Sequence, residues 1–306
     1  MVCPVATVLV TGSHGLVGSA LVPALAARGD RVLKLVRGMG PVQAATPHEI
    51  VWDPAAGTID VGRLAGVDAV IHLAGENISA GRWTRARKAR IRDSRVRGTR
   101  LLAETVAALP HPPRVLLAAS ATGYYGDRGA EILSEDSSPG TGFLADVCRE
   151  WEAAVEPARR AGIRVVSMRS GVVLSPVGGM LAQVRPVFRL GLGGRLGSGR
   201  QYLSWIAIDD LVGAVLHLLA DASAAGPVNT VAPGPVTNAE FTQALGRALS
   251  RPALFAIPAP VLRAMFGEMA DGALLASTRA EPARLLASGY QFQWRDVAGA
   301  LRHLLQ

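Results

Sequence analysis

The stretch VTGSHGLVGSALVPAL, residues 10–25, limits what this chain can fold into more than any other. It follows a short β-branched run, VATVLV at 5–10, and continues into apolar residues at helical spacing: Leu16, Val17, Ala20, Leu21, Ala24 and Leu25. Gly29-Asp30 ends that pattern. Gly12, Gly15 and Gly18 thus mark a strand-to-helix turn. The first glycine permits the tight turn, the second lets a pyrophosphate approach the backbone, and the third lets helix and strand pack closely. Such a turn presents the positive end of a helix to phosphates. Gly12, Ser13, His14, Gly15, Leu16 and Val17 are therefore expected to hold a dinucleotide, with a purely structural turn as the alternative.

The rhythm beyond this turn fits the same reading. RVLKLV (31–36), EIVWD (49–53), DAVIHLA (68–74), RVLLAAS (114–120) and IRVVSMRSGVVL (163–174) read as strands. They alternate with a helix from about 84 to 109, ended by Pro110, and another over 142–162. The expected class is α/β, a Rossmann doubly wound parallel sheet covered on both faces, with a smaller, mostly helical C-terminal substrate lobe. Residues 1–175 would form the nucleotide-binding domain, with 200–232 returning to it. Residues 176–199 and 233–306 would form the lobe. A length of 306 residues suits either one large domain or two modest ones.

The end of the second strand discriminates between cofactors. An NAD site usually places Asp or Glu there for the ribose 2′-hydroxyl. Here VLKLVRGMG offers Val36 and then Arg37, 19 residues beyond Gly18. A guanidinium pairs with a 2′-phosphate and has no use for a bare hydroxyl. NADP(H) is expected, against the alternative of a solvated loop arginine.

Net charge is +8, and nine basic residues against one acid, Asp93, fall between Arg82 and Arg100. A nucleic-acid or membrane-surface reading would rest on that segment. Yet Ile91, Ser94/Arg95, Gly98, Leu102, Thr105 and Leu109 form an inward stripe on the same helix. Arg95 lies on the stripe and needs an anionic or carbonyl partner, either a cofactor phosphate or a structural carboxylate. The other charges read as a solvated face, and only Trp83 could stack a base. No nucleic-acid partner is expected.

The longest apolar run, LVGAVLHLLA at 211–220, is about half a membrane span, so no membrane partner is expected. Two cysteines, Cys3 and Cys148, make neither a disulfide framework nor a metal site. MVCPVATVLV reads as a strand and not as a signal peptide, and a cytoplasmic location is expected.

An ordered set of motifs resembles a known family. The TGxxGxxG turn, HLAGENISAGRW (72–83), IRDSRVRGTRLL (91–102), SATGYYGDRG (120–129) and RLGLGGRLGSGRQYLSWIAIDD (189–210) are similar to the divergent extended short-chain dehydrogenase/reductases. Within that NAD-dependent epimerase/dehydratase superfamily they look like the subgroup labelled epimerase family protein, of the YfcH type. The likeness continues through RPALFAIPAP (251–260), FGEMADGALLAS (266–277) and PARLLASGYQF (282–292). It implies NADP(H) on the Rossmann core. Leu73, Ala74 and Gly75 would line adenosine and ribose, Arg95 would reach the cofactor, and Val172 and Val173 would flank the nicotinamide end.

The resemblance also exposes a departure. Active members of the superfamily use a Tyr and a Lys four residues after it; here Leu144 and Cys148 align with those positions, and no YxxxK occurs in the chain. Tyr124 and Tyr125 are the remaining catalytic candidates, with packing as their alternative. Cys148 could ionise beside Arg149 or be inert core. Glu76, Arg189, Gln201 and Trp205 are candidate substrate contacts, and Ala207 replaces the His common in the subgroup's WIHIDD. The expected function is an NADP(H)-binding oxidoreductase or nucleotide-sugar-epimerase-like protein acting on a small polar substrate, phosphorylated or nucleotide-linked. The alternative is a catalytically silent NADPH-binding sensor or scaffold. A homodimer is left open.

Overall fold

An unbroken apolar run in the first strand decides the layering. In the computed structural model, which describes residues 6–38 and 46–306, strand β1 (Thr7–Thr11) turns Val8 and Val10 to one face and Leu9 to the other, all fully buried. A strand apolar on both faces must be covered on both. Cys3 lies outside the described residues.

Helix α1 (Leu16–Ala27) leads to β2 (Arg31–Arg37), β3 (Glu49–Asp53), a short antiparallel β4 (Thr58–Ile59) and β5 (Ala69–His72). The long α2 (Arg85–Ala107) leads to β6 (Val115–Ala121), and a two-residue β7 (Ile132–Leu133) precedes α3 (Phe143–Ala153) and α4 (Glu156–Arg160). After these come β8 (Arg164–Ser170), β9 (Val172–Leu174), α5 (Gly179–Arg189), β10 (Gly194–Leu196), β11 (Tyr202–Leu203) and β12 (Trp205–Ala207). Helix α6 (Ile208–Ala220) and β13 (Gly226–Thr230) follow.

The central sheet runs β13-β8-β6-β5-β1-β2-β3-β4, parallel except for its last strand. Val8 stands opposite both Val32 of β2 and Ala69 of β5, so β1 is central. The chain leaves β1 for β2 on one side and later returns to β5 on the other. The crevice at the carboxyl ends of β1 and β5 is therefore the topological switch point. One face packs Leu21 and Leu25 of α1 with Leu211, Val215 and Leu218 of α6. The opposite face packs Leu102 and Val106 of α2 with Val155 and Ala158 around α4. A third core joins Leu181 and Phe188 of α5 to Phe241, Leu245 and Leu301 in C-terminal helices.

Two expected elements each divide. The run 163–174 is β8 in the sheet and β9 outside it, paired with β12. Gly171 makes the break, because a Cβ there would stand 2.5 Å from the Ser204 carbonyl oxygen. The helix expected over 142–162 is α3 and α4. Pro157 lacks the N–H that would donate to Ala153, so the first helix ends there.

Candidate functional site

The glycine turn is built by close approach. Gly12 has φ +67°, and a Cβ there would lie 2.8 Å from the Leu73 carbonyl carbon and 2.9 Å from the Ala74 nitrogen. A Cβ on Gly18 would lie 2.2 Å from the Gly12 oxygen. Gly15 is the N-cap of α1 in extended backbone, with no side-chain cap, and its Cβ would meet only that same oxygen at 3.2 Å. Leu16, Val17 and Gly18 thus start a helix whose first-turn N–H groups have no side-chain acceptor, a positive terminus at the carboxyl end of β1. Ser13 is buried and His14 exposed, with Ser13 Oγ 3.4 Å from His14 Nδ1.

Thr11 fastens this turn to the end of β5. Its Oγ1 accepts from the backbone N–H groups of Leu73 (3.0 Å) and Ala74 (3.1 Å) and lies 2.7 Å from His72 Nδ1. His72 Nε2 is 2.9 Å from Thr99 Oγ1, which also accepts from the indole N–H of Trp151 at 2.9 Å. With both of its lone pairs taken, Thr11 donates its proton to Nδ1, so neutral His72 carries its hydrogen on Nε2 and donates to Thr99. Complete burial pulls the His72 pKa down to about 4, keeping the ring neutral.

Two arginines flank the crevice. Arg37 closes β2 two residues past Leu35, the partner of Thr11, is exposed, and has no carboxylate within ion-pair distance among the described residues. Val36 beside it is half-buried, and neither Val36 nor Gly38 offers an acid at this strand end. Arg95 Nη1 donates to the carbonyls of Glu76 (3.0 Å) and Ile91 (3.1 Å), and its guanidinium lies 5.0 Å from the Trp151 ring centre. A Cβ on Gly75 would stand 3.4 Å from its central carbon. Burial pulls its pKa below the ordinary arginine value. Its partners are carbonyls, and no carboxylate lies within ion-pair distance of it among the described residues.

The far wall closes against Leu16. A Cβ on Gly178 would lie 2.8 Å from Leu16 Cδ1, which brings the loop after Val172 and Val173 onto the glycine turn. The structure therefore brings together Gly12, Leu16, Leu73, Ala74, Gly75, Arg95 and the β9 end.

The expected catalytic tyrosines join a polar cluster around Arg169. Tyr125 is fully buried; its hydroxyl donates to Asn229 Oδ1 (2.7 Å) and accepts from Arg169 Nη1 (3.1 Å). Burial raises its pKa, so this expected catalytic candidate is a core residue. Tyr124 is half-buried, its ring 3.5 Å from the Arg169 guanidinium. Arg169 grips Glu152 through Nε (2.8 Å) and Nη2 (2.9 Å), and Ser120 Oγ donates to the same carboxylate at 2.6 Å. Burial works against the Arg169 charge, but the paired carboxylate outweighs it and raises its pKa.

Leu144 and Cys148 pack on Gly123, where a Cβ would stand 3.3 Å from Leu144 Cβ and 3.8 Å from the sulfur. Burial pushes the Cys148 thiol up to about 12, so it is inert core and not a thiolate beside Arg149.

Among the expected substrate contacts, Trp205 is fully buried, its indole N–H donating to the Gly234 carbonyl at 2.8 Å. Gln201 spends its amide N–H groups on the carbonyls of Leu196 and Leu274, bracing a loop. Arg189 ends α5, about 16 Å along the helix from the end beside Leu16, and is exposed. Glu76 stays at the crevice, half-buried, 3.3 Å from Arg87 Nη1 and 3.9 Å from Arg90 Nε.

Sequence reasoning passed over Thr11, His72, Thr99, Trp151, Glu152, Arg169 and Asn229. Thr11, His72 and Thr99 lie inside motifs quoted above and Trp151 on an apolar helix face, but Glu152, Arg169 and Asn229 are polar residues that look surface-bound until the fold buries them.

A profile of the NAD dependent epimerase/dehydratase family matches residues 8–232, and one of a domain of unknown function, DUF1731, matches 257–304. Epimerase family protein Mb2239 of Mycobacterium bovis is 47% identical over 296 residues, covering 97% of this chain and 96% of its own. A crystal structure of the human epimerase family protein SDR39U1 with NADPH superposes at a TM-score of 0.88 and 37% identity, covering 97% and 98% of the two chains. That of the nucleoside-diphosphate sugar epimerase from Corynebacterium glutamicum gives 0.80 and 40%, over 98% of this chain and 58% of that one. Among the described residues, no helix is long and apolar enough to cross a membrane.

Proposed function

The chain belongs to the NAD dependent epimerase/dehydratase family, and from that premise we propose that it binds NADP(H) and acts as an oxidoreductase or epimerase-like enzyme on a small polar substrate. The carrying observation is the crevice itself. Gly12 and Gly18 leave no room for a side chain, and the uncapped N-terminus of α1 stands where a pyrophosphate would lie. Residues 1–175 with 200–232 would form the cofactor part, and 176–199 with 233–306 the substrate lobe.

Arg37 supplies the preference for a 2′-phosphate, since β2 ends in a cation without an acid beside it. Ser13, His14, Gly15, Leu16 and Val17 hold the pyrophosphate. Val36, Leu73, Ala74 and Gly75 line the adenosine and ribose. Arg95 offers its unpaired charge to the cofactor, and Val172 and Val173 flank the nicotinamide end. The cofactor, when bound, supplies hydride transfer. Tyr124 is the phenol left to hold a proton at its oxygen, and Glu76 is the charged group left to the substrate side.

A second reading, a cofactor-binding sensor without turnover, is favoured by Leu144 and Cys148, since neither moves a proton at neutral pH. NADPH oxidation by the purified protein across a panel of carbonyl compounds and nucleotide sugars separates the two. Tight NADPH binding with no turnover across the panel would establish the sensor. Arg37→Ala should weaken NADPH by about tenfold or more while leaving NADH within about twofold, as loss of one charge-assisted pair implies. Equal losses of both nucleotides would refute the 2′-phosphate assignment.

A further inference from the structure

The basic segment singled out in the sequence is largely neutralised by folding. Six of its nine cations reach carboxylates: Arg87 and Arg90 on Glu76, Lys88 on Glu268, Arg92 on Glu150, Arg97 on Asp93 and Arg100 on Glu104. Arg82 donates to the carbonyls of Ala264 and Met265, and Arg95 to those of Glu76 and Ile91.

Uncompensated charge gathers elsewhere. No acid occurs between Glu156 and Asp209, nor between Glu240 and Glu268. Arg189, Arg195, Arg200, Arg247 and Arg251 are all exposed, and none forms an ion pair among the described residues. The two acid-free segments lie side by side: Arg251 Nε donates to the Arg189 carbonyl at 2.9 Å, and Gly194–Leu196 pairs with Phe255–Ile257.

Apolar side chains stand out of this same face. Leu254 is 87% exposed, Leu190 75%, Leu192 56% and Phe255 55%. They sit in the 190–192 and 254–255 stretches, where α5 ends and where the chain enters its pairing with β10. Protruding apolar residues on the same two segments as arginines without ion pairs fit few occupants. A two-fold contact between copies of the chain would press arginines against arginines. Nucleic acid would engage the cations and leave the leucines unused. An anionic bilayer surface accepts both, phosphates for the guanidinium groups and the acyl boundary for the leucines and Phe255.

We propose that this face seats the protein on an anionic lipid membrane as a peripheral protein. The expectation of no membrane partner came from the lack of a spanning stretch and from tying any membrane-surface reading to the segment between Arg82 and Arg100, whereas the uncompensated charge lies between Arg189 and Arg251.

The test is co-sedimentation of the full chain with vesicles of phosphatidylcholine alone or mixed with phosphatidylglycerol. Partitioning onto the anionic vesicles alone, weakening as salt rises, supports the proposal. Arg195→Gln with Arg247→Gln should reduce it about twenty-five-fold, at about fivefold per arginine. Leu254→Ser with Phe255→Ser should reduce it about tenfold or more. Thermal melting and NADPH fluorescence should be unchanged in both double variants. Should either double variant fold poorly, Leu254→Ser alone, at the most exposed of these side chains, should still weaken binding severalfold. Several results would overturn the proposal: no sedimentation with anionic vesicles at low salt, equal sedimentation with neutral ones, or insensitivity to these variants. A dimer that is lost in the same variants, without vesicle binding, would overturn it too.

Discussion

His72 links the glycine turn to the protein's response to acid, and its replacement by glutamine isolates that link. The ring is completely buried between Thr11 and Thr99, and its pKa falls to about 4, against 6.5 when exposed. Below the exposed value the unfolded chain takes up a proton that the folded chain refuses. Stability is therefore lost as pH falls from about 6.5 to about 4, and levels off once both states are protonated. A difference of roughly 2.5 pH units at 1.36 kcal/mol each amounts to about 3 kcal/mol. Glutamine can accept from Thr11 through its carbonyl and donate to Thr99 through its amide, and it does not titrate. Urea unfolding followed by the fluorescence of the five tryptophans measures the effect at a series of pH values. Subtracting His72→Gln from wild type cancels the other titrating groups common to both. The wild type should lose about 3 kcal/mol relative to the variant across that window. A difference that stays flat from pH 7 to pH 4 would refute both the neutral buried ring and the directed Thr11–His72–Thr99 chain.

Glycine positions give a graded test of the turn. Gly18→Ala places a methyl 2.2 Å from the Gly12 oxygen and should destabilise by about 1–3 kcal/mol in thermal melts while abolishing NADPH fluorescence enhancement. Gly15→Ala meets that oxygen only at 3.2 Å and should stay within about 1 kcal/mol; the reverse order would contradict the packing described. Cys148, buried and with its thiol pushed up to about 12, should resist alkylation at pH 8 in the folded protein. It should react within minutes in urea, as peptide mass mapping of that residue would show; ready labelling of the native chain would contradict its burial.

Much of the fold was legible because burial on both faces of a strand leaves an unmistakable apolar run. The glycine turn was legible for a local reason: Gly12, Gly15 and Gly18 are contiguous in sequence and each answers a short-range steric demand. The position of Arg37 at the end of β2 was legible for the same local reason. Tyr125 and Trp205 could not be judged, because a tyrosine or tryptophan near a cleft looks the same in sequence whether its polar tip meets a substrate or, as here, Asn229 and the Gly234 carbonyl. The kink at Gly171 was equally hidden, since its cause is the Ser204 carbonyl, 33 positions away along the chain.

The sequence by itself determined the class of fold, the strand-to-helix turn at Gly12–Gly18 and the loss of any Tyr-x-x-x-Lys pair, all consequences of residues close together along the chain. Tertiary structure alone decided which charges are spent. Glu76, Glu150 and Glu268 quench the dense basic helix from 11 to 180 positions away, while the scattered arginines between 189 and 251 meet no acid among the described residues. Coulomb attraction acts over ångströms in space, and separation along the chain does not reveal which charges will stand that close.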